Sequence, residues 1–185
     1  MKRNLLNTKI KNFAKLEKSK QDDVLYITEN FLKPNKELRV ASTTLFPKVD
    51  DLWALKFSDM INLKDLVENK EFENVIKLMY EVDDHDIKGL SLFNALSTYK
   101  YIVQELKEIV KAEEIKLSNE PTQKEINAGI DDFQEFGQYN TLRMLTGGDK
   151  TKEKHWLELP YSEVFLELCY LVAQSNYQKR LYKTK

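Results

Sequence analysis

The sequence predicts a mainly α protein, a multi-helix domain preceded by a short N-terminal β-hairpin and a basic arm, and three observations carry that prediction. Five glycines and four prolines in 185 residues leave little material for the turns of a many-stranded sandwich or barrel. From Phe57 onward the apolar residues recur in steps of three and four, the period of an amphipathic helix. Before Phe57, β-branched residues in short alternating segments favour strand instead. With 42% hydrophobic and 32% charged residues, the chain can bury a core and still present a charged surface.

Taken in order, residues 1–22 form a basic arm. Its first twenty residues carry seven Lys or Arg and one Glu, with Leu5, Leu6, Ile10 and Phe13 at roughly helical spacing. A short helix of this kind is marginal alone, so a frayed, solvated arm is expected. Residues 23–56 form the hairpin region, in which VLYIT at 24–28 and LRVASTTLF at 38–46 read as two strands separated by Pro34, Asn35 and Lys36.

Residues 57–178 form the helical domain. Asn62 is a suitable N-cap, and two stripes, Leu63, Leu66 and Val67, then Phe72, Val75, Ile76 and Met79, predict two short helices or one bent one. The acidic stretch EVDDHDIKG interrupts the pattern. A long helix follows, with a narrow seam at Leu92, Leu96, Tyr99, Val103, Leu106 and Val110. Pro121 and Thr122 open another helix bearing Ile126, Ile130 and Phe133, which Gly147 and Gly148 stop. Asp149 caps a short helix reaching Trp156, Pro160 breaks the chain, and Ser162 caps a last helix with Val164, Phe165, Leu168, Leu171 and Val172. Residues 179–185 form a basic tail, in which Lys179, Arg180, Lys183 and Lys185 stand beside Tyr177 and Tyr182. That mixture also serves single-stranded nucleic acid, although a tail so short is expected to be solvated.

Composition excludes several function classes. A net charge of −1 gives no global attraction to nucleic acid or to an anionic membrane. The N-terminal residues lack a continuous apolar run, so neither a signal peptide nor a membrane span is expected. Cys169 is the only cysteine; it cannot form an internal disulfide, and a reducing compartment follows. It lies in the apolar run FLELCYLVA, where a buried, unreactive thiol is expected.

No constellation predicts catalysis, and the expectation is a non-enzymatic protein without cofactor or metal. Asp83, Asp84, His85 and Asp86 supply metal-ligand residue types, but consecutive residues project in different directions, and the Gly and distal Glu of a calcium loop are missing. The reading is an exposed acidic turn. GGDKT at 147–151 lacks the first glycine of a phosphate-binding loop. His85 and His155 are the only histidines, and neither stands in a nucleophile-and-base pattern.

The C-terminal aromatic residues are more informative. Trp156, Leu157, Tyr161 and Phe165 concentrate apolar surface around the Pro160 break, and such anchors dominate protein-binding sites when they are not core. They are the candidate protein-binding residues.

Three stretches carry a resemblance: FSDMINLKDLVENKEFENVIKLMYEV, LSLFNALSTYKYIVQELKEIV, and FGQYNTLRMLTGGDKTKEKHWLELPYSEVFLELCYLV. The span they mark, residues 57–172, covers about two-thirds of the chain, and the stretches resemble small proteins of tailed bacteriophages and prophages, especially those of Bacteroidetes-type hosts. The resemblance implies a role in virion morphogenesis, with tail-assembly chaperones, which shield tail components until polymerisation, as the nearest analogy. The partners it implies are phage structural proteins of the tail or another part of the virion, with a homo-oligomer admitted. The location it implies is the host cytoplasm or the virion. A structural or packaged protein of the neck, tail or head interior is the alternative, and a nucleic-acid-binding regulator acting through the basic termini is the second.

Overall fold

A computed structural model describes residues 9–13, 15–118 and 121–183. The fold is mainly helical with one short antiparallel hairpin. Its elements are α1 (Ile10–Phe13), α2 (Lys18–Phe31), β1 (Leu38–Val40), β2 (Thr43–Leu45), α3 (Phe57–Glu68), α4 (Phe72–Tyr80), α5 (Asp84–Gly89) and α6 (Leu92–Leu117). After these come α7 (Gln123–Asn127), α8 (Gln138–Thr146), α9 (Glu153–Glu158) and α10 (Tyr161–Lys183). Two compact units result, one of residues 1–50 and 62–107, the other of residues 51–61 and 108–185.

In the first unit the hairpin is smaller than expected. LRVASTTLF folds back on itself, pairing Leu38 with Leu45 and Val40 with Thr43. Ala41 supplies the positive φ, 52°, that a tight hairpin turn requires. VLYIT belongs to α2 and buries Val24 and Ile27, so its helical spacing overrides its strand propensity. The first strand expected from sequence is therefore a helix. The arm is also not wholly free: Ile10 is buried, and its N–H donates to the Leu90 carbonyl at 3.1 Å. Residues 1–8 of that arm lie outside the described residues.

The start of α6 explains why its first turns are polar. The Asn94 amide donates to the Arg39 carbonyl at 2.7 Å and accepts from the Arg39 N–H at 3.4 Å, so one side chain covers part of β1's outer edge. The Asn35 N–H donates to the Ser97 carbonyl, and the Tyr80 hydroxyl donates to the Lys36 carbonyl at 2.7 Å. Leu38, Val75, Ile76, Met79, Ile87 and Leu92 of this unit are fully buried. Along α6 the expected seam residues Leu92, Leu96 and Leu106 are buried, but Ile102 and Ile109 are buried in place of Val103 and Val110, and Val110 is exposed. At those two places the buried residue is one position earlier, because both members of each β-branched pair fit a helical period.

Two expected caps also shift. Asn62 lies inside α3, which starts at Phe57, and Ser162 lies inside α10, which starts at Tyr161. The acidic stretch is not a break but α5, with Asp83 as its N-cap accepting from the Asp86 N–H at 2.8 Å. Thr122 does cap α7, in a reciprocal capping box with Glu125.

In the second unit Gly147 and Gly148 end α8 with φ of 60° and 86°, and the Gly148 N–H returns to the Arg143 carbonyl. Asp149 caps the next turn, accepting from the Thr151 N–H. No helix among the described residues is long and apolar enough to cross a membrane. The expected basic tail is helical as far as Lys183, while Thr184 and Lys185 lie outside the described residues.

Candidate protein-binding surface

Pro160 organises the second unit. A proline cannot continue the hydrogen bonding of a helix, so α9 ends at Glu158, and Leu159 is extended. The extended stretch pairs antiparallel with Lys56: the Phe57 N–H donates to the Leu159 carbonyl at 2.9 Å and the Tyr161 N–H to the Leu55 carbonyl at 2.7 Å. Pro160 has no donor to lose in this arrangement. Lys56 and Glu158 close it with an ion pair at 2.5 Å, whose hydrogen bond raises the Lys56 pKa.

That bridge sets where the candidate residues fall. Tyr161, only 3% exposed, stacks on Trp53 with centroids 5.7 Å apart and on Phe57 at 6.0 Å. Its hydroxyl donates to Glu113, and burial first, then Glu113, pushes its pKa up. Phe165 is half-buried against Trp53 at 4.9 Å, and Trp156 and Leu157 are half-buried on α9. Tyr161 thus stands inside the unit as a support, leaving Trp156 and Leu157 partly open to solvent. Sequence reasoning missed Trp53, whose signal was present: a large aromatic in DLWALKF, just before the change of period at Phe57.

One run of exposed apolar side chains extends from α7 to α8. Ile126, Phe133, Phe136, Tyr139 and Met144 are all exposed, Phe133 by 61%. Ile130, expected on one side of a helix with Ile126 and Phe133, is exposed as well. This run is a short helix, a 3-10 segment (Ile130–Phe136) and α8, each packed on the next, with α9 packed on α8. Short, irregular elements cannot present one apolar stripe inward, so their large side chains remain on the surface. Monomeric proteins rarely leave contiguous apolar patches beyond a few hundred Å², and larger ones mark interaction sites.

Other features contribute less. Ligand atoms of Asp83, His85 and Asp86 fall within 4.8 Å of one another, a convergence that residue spacing did not predict. The Asp83 cap causes it by folding back over the first turn of α5, and one Asp83 oxygen is occupied by the Asp86 N–H. Asp84 is drawn instead to Lys77, whose hydrogen bond lowers the Asp84 pKa. A groove of about 750 Å³ in the first unit is lined by Lys9, Arg39, His85, Phe93 and Asn94, but the Asn94 amide is committed to β1. Cys169, expected to be buried, is half-buried.

Comparison with protein-family models, with curated proteins and with solved structures finds no match to this chain.

Proposed function

We propose that this chain is a non-enzymatic phage virion-assembly protein, a tail-assembly chaperone-like factor that holds a structural protein through exposed helical apolar surface. The observation that carries the reading is the exposed run of Ile126, Phe133, Phe136, Tyr139 and Met144, beside the half-buried Trp156 and Leu157 of α9. A holding factor needs apolar surface that stays accessible after it has folded, on a support that does not itself unfold. The bridge at Pro160 and the aromatic cluster around Tyr161 supply that support.

The test is co-expression with a phage tail protein that polymerises alone, followed by size exclusion with light scattering. The expected result is a soluble complex of defined mass, lost for Phe133→Asp while that variant stays folded. A variant that binds as wild type does, or a tail protein that polymerises unhindered, would overturn the reading. Copies of the chain at fixed stoichiometry in purified particles would favour the structural alternative.

A further inference from the structure

The middle of the exposed run, Ile130–Phe136, is a 3-10 segment of 7 residues, and runs of this helix beyond three or four residues are uncommon. Three residues complete one turn, so side chains three apart stand in line. Ile130, Phe133 and Phe136 therefore form one straight exposed row. Gly129, Asp132 and Glu135 form the row beside it, and the Asp132 carboxylate lies over Gly129, 2.9 Å from where a Cβ would stand. At a rise of about 2.0 Å per residue, each row repeats every ~6 Å. The Asn140 amide donates to the Phe133 carbonyl and ties the segment to α8.

The charge along this run has one sign. From Ile126 to Leu142 the charged side chains are Asp131, Asp132 and Glu135, without a Lys or Arg among them. Asp132 and Glu135 are exposed and, among the described residues, have no ion-pair partner. A complement to this surface needs apolar residues at the same pitch with cations alongside. An α-helix supplies that pitch, because four of its residues rise about 6.0 Å, as three residues of 3-10 helix do. We infer, resting on the assembly role proposed above, that the row of Ile130, Phe133 and Phe136 seats an α-helix of the held protein, with apolar residues at every fourth position and Lys or Arg along one flank facing Asp132 and Glu135.

The ridge of every fourth residue on an α-helix is inclined about 26° to its axis, so the seated helix crosses the row at about that angle and lays its ridge along it. An extended strand repeats every ~6.6 Å and draws its affinity from a sheet edge, which a 3-10 segment does not offer. Apolar contact attaches the helix, and the carboxylate row discriminates, since an acidic helix with the same apolar ridge is repelled. Reversing the direction of a helix exchanges its flanks, so a basic flank on either side can be turned to the carboxylates.

The test titrates the full chain into a labelled helical peptide of about 18 residues, five turns, with Leu at every fourth position, Lys beside each Leu, and Ala and Gln elsewhere. Fluorescence anisotropy reads the affinity, amide shifts locate the site, and circular dichroism confirms that each variant is folded. Binding is expected at about 100 μM or tighter, with shifts centred on Ile130–Phe136 and loss in Phe133→Asp. Glu in place of each Lys is expected to weaken the peptide about tenfold or more, and Asp132→Lys/Glu135→Lys in the chain to reverse that preference. No binding of the Lys peptide up to about 1 mM, equal binding of both peptides, or shifts confined to another surface would overturn the inference. A chain that dimerises alone, with the dimer lost in Asp132→Lys/Glu135→Lys, would give the row to a second copy and overturn it equally. Peptide binding as expected, beside a tail protein that polymerises unhindered, would keep the helix site and remove the assembly role. A tail protein held equally by Asp132→Lys/Glu135→Lys would keep the assembly role and remove the basic helix.

Discussion

Truncating Tyr161 separates a supporting role from a contacting one. Its ring is 3% exposed and touches Trp53, Phe57 and Phe165 at centroid distances of 5.7, 6.0 and 6.3 Å. Tyr161→Ala therefore removes a buried aromatic side chain and its hydroxyl bond to Glu113. Aromatic-to-Ala changes in a core cost about 3–5 kcal/mol. In a chain of 185 residues each kcal/mol shifts Tm by about 2–4 °C, so a fall of roughly 6–20 °C follows. Trp156→Ala removes a half-buried ring whose aromatic neighbour is His155 at 6.1 Å, and about 1–2 kcal/mol is expected, in the ordinary range of point substitutions. The assay is thermal unfolding followed by circular dichroism and by tryptophan fluorescence. A Trp156→Phe background leaves Trp53 as the sole reporter, since the chain has two tryptophans. A Tyr161→Ala protein that melts within about 2 °C of wild type would refute the buried-support argument, since that shift is about 1 kcal/mol or less.

Other consequences are equally specific. Asn94→Leu removes both bonds to Arg39 and uncovers the β1 edge, so a loss of about 1–3 kcal/mol in urea-induced unfolding is expected, and an unchanged midpoint would contradict the edge-covering role. Glu125 accepts from the Thr122 N–H and pairs with Lys179 at 3.2 Å, and the backbone bond, then the other Thr122 and Lys179 interactions, lowers its pKa. A depressed carboxyl stabilises above its unfolded pKa, and that stability is lost as pH falls through the folded value. Titration by NMR should show Glu125 ionised below the ordinary glutamate range, with α7 losing amide protection as it protonates. Gly148→Ala, at φ 86° with an added Cβ 3.0 Å from Arg143 Nη2, should destabilise by about 1 kcal/mol or more in the same unfolding assay.

Much of the helical skeleton was legible because its signals are local. Thr122, Gly147 with Gly148, and Asp149 each fix a helix end within a few residues, and the structure places those ends as read, although the one helix expected between Thr122 and Gly147 is divided into α7, a 3-10 segment and α8. What failed depended on partners far along the chain. VLYIT has strand-like residues, but Val24 and Ile27 fit a buried helical face, and burial decides. Asn94 reads as an ordinary helix residue until Arg39, 55 positions away, supplies its bonds. The candidate site divides along the same line. Trp156, Leu157, Tyr161 and Phe165 stood out around Pro160, but which of them faces inward depends on the bridge to Lys56 and on Trp53, about a hundred residues earlier. Ile126, Ile130 and Phe133 were read as one side of a helix, but periodicity reports a face without saying what covers it, and all three are exposed.

The most direct test of the proposed assembly role follows polymerisation of a purified phage tail protein by light scattering, with increasing amounts of this chain added at the start. Reversible holding of the unpolymerised protein predicts a lag that lengthens with dose and is abolished by Phe133→Asp in a folded variant. Polymerisation with the same lag at every ratio, up to a several-fold excess of this chain, would contradict it.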